Sequence, residues 1–369
     1  MSSHVQDPEQ IEGITTRENE IRPIIKRTIA GEDNAKTRAA ISELFQTKRG
    51  LKQRHIQMIA LAGTIGTGLF LATGKSLARG GPLSMLLAYC IVGMLICCVV
   101  FSVAELSALA PLSGGIIRHA EWFVDPALAF AQGWNSVYAN AILLPAEMVA
   151  CAVIIDFWSD VNHAVWISAL GTLLIISNML LVSIYGELEF VFAMLKIALI
   201  VGVNIMSICI TSGAGPQGYP MGFRFWRDPG PFVQFLGIDG SWGRFLGFWR
   251  VLSSAAYAFS NVENVSVAAA ETQNPRHNIP KAAKRVFWRI LIFYLITIFM
   301  MGLIVPSNDK GLLSNSGDAG ASPFAIAATN VGIKVVPSII NAVVVTSAWS
   351  AGNSGEGGLF LSATVLLLT

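Results

Sequence analysis

Eight stretches of this chain, near residues 56–78, 82–110, 126–156, 164–183, 187–210, 245–270, 286–306 and 333–352, are apolar for about the length of a membrane-crossing helix. A hydrocarbon core about 30 Å thick needs roughly 20 such residues, because each helical residue rises about 1.5 Å. Charge placement points the same way. Residues 1–54 leave only 15 of the 25 basic and 15 of the 23 acidic residues to the other 315. A soluble domain carries roughly 25% charged residues, so this body cannot be solvated as a cytosolic enzyme. The expected class is an all-α polytopic membrane protein.

The first 54 residues are polar, mixed in charge and poor in aromatics, and read as a disordered cytoplasmic tail. They hold no apolar core that would make a cleaved leader, so the first span is expected to act as the insertion signal. Orientation follows the basic residues near span ends. Lys48, Arg49, Lys52, Arg54, Arg118, Arg276, Lys281, Lys284, Arg285 and Arg289 fall on one side, and their density makes it the cytoplasmic one. The N-terminus is then inside, with long outer loops near 211–243 and 307–332.

A net charge of +2 and the lack of a basic, aromatic-interleaved stripe argue against nucleic acid as a partner. Cys90, Cys97, Cys98, Cys151 and Cys209 sit in apolar runs without metal-ligand spacing and read as packing or lipid-facing residues. The histidines are scattered, and no Ser/His/Asp set shares a membrane depth, so neither a metal, a cofactor nor an enzyme activity is expected.

Breaks inside the helices narrow the class. The first span contains Gly63, Gly66 and Gly68, with Thr64 and Thr67 between them. Each glycine disfavours a helix by up to about 1 kcal/mol relative to Ala. Small residues can instead form a close-packed helix face, but that face repeats every four residues, and these glycines do not keep the spacing. A discontinuous helix whose freed amides and carbonyls bind a small zwitterion near the midplane fits better. The stretch Gly68 to Ser76 imitates a phosphate-binding loop, yet it has five residues between its glycines and no preceding strand.

Ionisable residues at membrane depth are functional candidates, since each costs about 2.5–3.5 kcal/mol to insert. Glu147 lies mid-way along the third span beside Pro145. It can contact substrate or a proton, or be a carboxyl hydrogen-bonded to a neighbouring helix. Lys196 follows Glu189 by seven residues, on nearly the same helix face; an ion pair, a snorkelling lysine and a coupling residue are all open. Glu263 lies in the sixth span, and Glu271 near its end before Pro275.

Several segments, in order, resemble the fungal branch of the amino acid permease family, within the amino acid–polyamine–organocation superfamily. They are Gly63 to Phe70, Glu105 to Gly115, Val124 to Leu128 with Gly133 and Trp134, Glu189 to Lys196, and Tyr257 to Lys281. The resemblance implies two inverted five-helix repeats, with discontinuous spans 1 and 6 facing each other, and about eight of the family's twelve spans within residues 55–354. It implies proton-coupled uptake of amino acids by alternating access, in the plasma membrane, without a cofactor. The substrate carboxylate would meet the amides around Gly66, Thr67 and Gly68, and its ammonium the carbonyls beside Thr64 and Ser260. Glu147, Tyr257, Phe259, Asn261 and Glu263 would line the side-chain pocket, and Lys196 would couple the proton, its ammonium standing where sodium sits in related carriers. Asn261 stands where the family has a glycine, which puts an amide in that pocket.

The likeness ends near Ser354. Residues 355–369 are atypical, and the expectation is a chain truncated in the eighth span by its gene model, splicing or a frameshift. Two other readings use the same residues: an amino acid sensor that does not transport, and a cation–chloride type carrier on a related fold.

Overall fold

The computed structural model describes residues 67–109, 115–178, 182–215, 218–260, 275–313 and 322–368, all within the unit Leu51–Thr369. The tail, Thr64, Gly66, Asn261, Glu263 and Glu271 lie outside these residues. Every regular element among them is helical.

In the described part of the first span, a π-helical turn, Gly68–Ala72, runs straight into α1, Thr73–Gly80. The hydroxyls of Thr73 and Ser76 donate back to the carbonyls of Leu69 and Ala72, at 2.7 and 3.0 Å. Such bonds satisfy hydroxyls that apolar surroundings would otherwise strand. A turn then reverses the chain through Gly81, whose φ of 85° only glycine adopts freely. Val233 N–H donates to the Gly80 carbonyl and Leu83 N–H to that of Pro231, both at 3.0 Å, so residues 231–233 are fastened over this turn.

α2, Pro82–Leu109, opens on the proline that tolerates a missing N–H donor at a helix start. After α3, Ile116–Phe123, the Asp125 carboxylate caps α4, Pro126–Ile155, by accepting from Ala127 N–H at 2.7 Å. α5, His163–Asn178, and α6, Val182–Ser212, follow. A short α7, Arg224–Arg227, precedes α8, Gly240–Ala258. The remaining helices are α9, Pro275–Ile304, α10, Pro323–Asn330, and α11, Val336–Leu368.

Three of these helices are long and apolar enough to cross a bilayer: Pro82–Leu109, Pro126–Ile155 and Leu188–Ser212. The burial pattern is that of a protein facing lipid. Met94, Leu95, Ile175 and Ile205 are exposed, whereas Glu147, Glu189, Lys196, Thr297, Ser350 and Asn353 are buried. In water the first set would form an apolar belt of the kind soluble monomers avoid; in hydrocarbon it is the solvent-matched surface.

Packing between helices uses polar groups as well as surface. α4 lies along α11, where Cys151 Sγ reaches the Val345 carbonyl at 3.6 Å. Trp349 of α11 meets Phe192 of α6 edge-on at 5.5 Å and donates through Nε1 to the Leu170 carbonyl of α5 at 3.3 Å. Asn204 of α6 donates to Thr297 Oγ1 of α9 at 2.9 Å.

Several boundaries differ from those read in the sequence. α8 starts at Gly240, five residues before the expected 245, and its helix stops at Ala258. α9 is already helical at Pro275, before the expected 286, because its basic first turns extend the helix without apolar signal. α11 does not stop at 352 but runs to Leu368. The outer segments read as loops contain α7 and α10, and α3 lies between the second and third spans. Each is too short for apolar periodicity to reveal.

Candidate functional site

Three segments meet at Glu147. From the last third of α4 its carboxylate, 3% exposed, accepts through Oε1 from Thr67 Oγ1 at 3.0 Å and from Tyr257 Oη at 3.3 Å. Thr67 stands at the head of the π-helical turn and Tyr257 in the last turn of α8. Glu147 Oε2 is buried and has no hydrogen-bond partner among the described residues. A buried carboxylate oxygen without a donor is costly. Tyr257 is 41% exposed, so the cluster is open on its side.

The same two segments touch through their backbones. A Cβ added to Gly68 would lie 2.8 Å from Ala258 Cα, closer than real Cβ atoms come. Glycine therefore lets the π-helical turn lie against the end of α8. Beyond that end the Ala258 carbonyl accepts from Tyr294 Oη of α9 at 3.0 Å. Phe259, 1% exposed, stacks on Tyr294 with ring centres 4.9 Å apart and tilts against Tyr89 at 6.0 Å. Ser260 Oγ donates to the Tyr257 carbonyl at 2.7 Å.

A second buried cluster surrounds Lys196. Its ammonium donates to Ser350 Oγ at 3.1 Å, and that hydroxyl donates to Glu189 Oε2 at 2.8 Å. Asn353 Nδ2 donates to Glu189 Oε1 at 3.3 Å, and Ser177 Oγ lies 3.0 Å from Asn353 Oδ1. Two charges on one face of α6 thus hold α11, which in turn reaches α5. The Lys196 charge also acts on Glu147, which links the clusters electrostatically.

Of the residues expected to serve the site, Thr67, Glu147 and Tyr257 converge on one carboxylate. Gly68 and Phe259 lie beside them in packed positions, Ser260 bonds within its own turn, and Lys196 belongs to the second cluster. Thr64, Gly66, Asn261 and Glu263 lie outside the described residues. Sequence reasoning gave no individual role to Ser177, Tyr294, Ser350 or Asn353. A signal existed for two of them: Ser347, Ser350 and Asn353 recur every three residues in an otherwise apolar run, a polar stripe that needs buried partners.

Long apolar helices with outward apolar faces and an interior of paired charges define a polytopic, α-helical integral membrane protein. Residues 55–356 match the amino acid permease family, and the chain belongs to it. It is 42% identical over 313 residues to the general amino-acid permease GAP2 of Candida albicans, covering 84% of this chain and 52% of that protein. It is 40% identical over 319 residues to the general amino-acid permease GAP1 of Saccharomyces cerevisiae, covering 86% and 52%. The dicarboxylic amino acid permease of the same yeast is 38% identical over 319 residues, covering 85% and 52%. The chain spans about half the length of the curated relatives it matches. The family is one of permeases, not enzymes.

Proposed function

We propose that this chain belongs to a carrier that takes amino acids up across the plasma membrane by alternating access, driven by protons, with its N-terminus in the cytoplasm. The observation that carries the reading is Glu147, a buried carboxylate gripped by one residue from each of the two segments expected to be discontinuous. The π-helical turn at Gly68–Ala72 and the stop of α8 at Ala258 lie against each other there, as the facing breaks of spans 1 and 6 would.

In this reading the amides around Gly66, Thr67 and Gly68 hold the substrate carboxylate, and the carbonyls beside Thr64 and Ser260 its ammonium. Glu147, Tyr257, Phe259, Asn261 and Glu263 shape the side-chain pocket, and Lys196 couples the proton. A conformational change that reseats Thr67 or Tyr257 breaks a bond to Glu147, which ties the state of the carboxylate to the state of the helices. The two substrate classes named for the yeast and Candida relatives, amino acids in general and dicarboxylic amino acids, give the candidates to try first.

The test is uptake of radiolabelled L-amino acids by proteoliposomes holding the full-length protein, with the outside made acidic relative to the inside. Accumulation above that seen at equal pH is the expected result. Uptake indifferent to the gradient overturns the proton coupling, and no uptake of any amino acid overturns the substrate class.

A further inference from the structure

We infer that Ser350 is a proton bridge between Lys196 and Glu189, and that Glu189 is a second carrier of the transported proton. The inference rests on the proton-coupled reading above and extends it to a residue pair with no part in holding substrate.

The geometry is a directed chain. The ammonium donates to the serine hydroxyl, and the same hydroxyl donates onward to the carboxylate, at 3.1 and 2.8 Å. One concerted shift serves both bonds. An N–H bond of Lys196 breaks as its proton joins Ser350 Oγ, while the original Ser350 proton passes to Glu189 Oε2. Ser350 ends as it began, a hydroxyl. An ammonium and a carboxylate become an amine and a carboxylic acid, with no change in net charge. In a dry interior a charged pair and a neutral pair are close enough in free energy to exchange, because separation from water penalises both ions.

Neighbouring groups favour the serine as the path. Asn353 Nδ2 occupies the other Glu189 oxygen, which leaves Oε2 to face Ser350. Among the described residues, Glu189 on its own helix and Glu147 on α4 are charged groups that act on Lys196. α11 and α5 present Ser350, Asn353 and Ser177 to the cluster, none of which titrates. Direction follows from the helix. With the N-terminus inside, α6 runs outward, so the backbone of Glu189 lies about 10 Å nearer the cytoplasm than that of Lys196, seven residues at about 1.5 Å each. The bridge therefore moves a proton inward, as uptake requires.

The test compares the full-length protein with Ser350→Ala and Glu189→Gln in proteoliposomes, using a radiolabelled mixture of L-amino acids. Two rates are read: exchange across the membrane at equal pH, and accumulation driven by an inward proton gradient. Exchange needs no net proton movement. The expected result is exchange within about twofold of the parent and accumulation reduced about 100-fold or more, the lower end of the range for loss of a positioned proton donor. Gradient-driven accumulation at the parent level in Ser350→Ala or in Glu189→Gln overturns the bridge. Loss of exchange together with accumulation in both variants also overturns it, since that marks a merely structural contact. If the parent exchanges amino acids but ignores the gradient, the proton-coupled reading itself fails and the bridge falls with it.

Discussion

The hydroxyl of Tyr294 donates to the carbonyl of Ala258 at 3.0 Å, at the residue where α8 stops. A helix end buried in apolar surroundings needs such a donor, because its last carbonyls have no partner within the helix. Stacking of Tyr294 on Phe259 fixes the next residue as well. One side chain of α9 thereby holds the segment that supplies Tyr257 to Glu147.

Tyr294→Phe keeps the ring and removes the donor. Loss of a hydrogen bond to a buried carbonyl costs about 1–3 kcal/mol. Thermal unfolding in detergent should show a lower midpoint, and an unchanged midpoint would count against the bond as a stabilising element.

Gly68→Ala places a methyl against backbone that cannot move aside, 2.8 Å from Ala258 Cα. Overpacking of this kind costs about 1–3 kcal/mol, and uptake should fall as the two segments part. Gly202→Ala, with open space around its Cβ within α6, is the contrast. It should leave stability unchanged or raise it by up to about 1 kcal/mol. Equal destabilisation by both would show that the crossing at Gly68 is not tight.

Glu147→Gln keeps the shape and an acceptor for Thr67 and Tyr257 but removes the charge. The expected outcome is an unfolding midpoint near that of the parent with initial uptake reduced at least ~10-fold, about 1.4 kcal/mol of lost transition-state stabilisation. Normal uptake kinetics would remove Glu147 from the substrate site and leave it a packing residue.

Uptake by the parent should rise as external pH falls, the sign required if the proton enters with the substrate. Lys196→Ala should flatten that dependence. It also strands Glu189 and Glu147 as buried carboxylates without their cation, which destabilises the helices that hold them. A variant that folds and keeps the parent's pH dependence would take the coupling role away from Lys196.

How much of this could be read in advance differs from residue to residue. The spans at Pro82–Leu109 and Pro126–Ile155 match the apolar runs to within a residue, the second because Asp125 and Pro126 are a local start signal. Of the run at 245–270, the described part is helical up to Ala258, and residues 261–270 lie outside the described residues. Glu189 and Lys196 were visible as a pair on one helix face, while the serine between them was not. Ser350 lies 154 residues from Lys196, and nothing local to either names the other.

Sequence alone determined that this chain inserts in a membrane as apolar helices and that a handful of ionisable residues sit at depth. Both depend on composition and period, which each segment carries by itself. Only tertiary structure decided that Thr67 and Tyr257 share one oxygen of Glu147, that Gly68 rests on Ala258, and that Ser350 stands between Lys196 and Glu189. The physical reason is that a buried charge in hydrocarbon must find a partner, but which partner depends on how helices far apart in the chain cross.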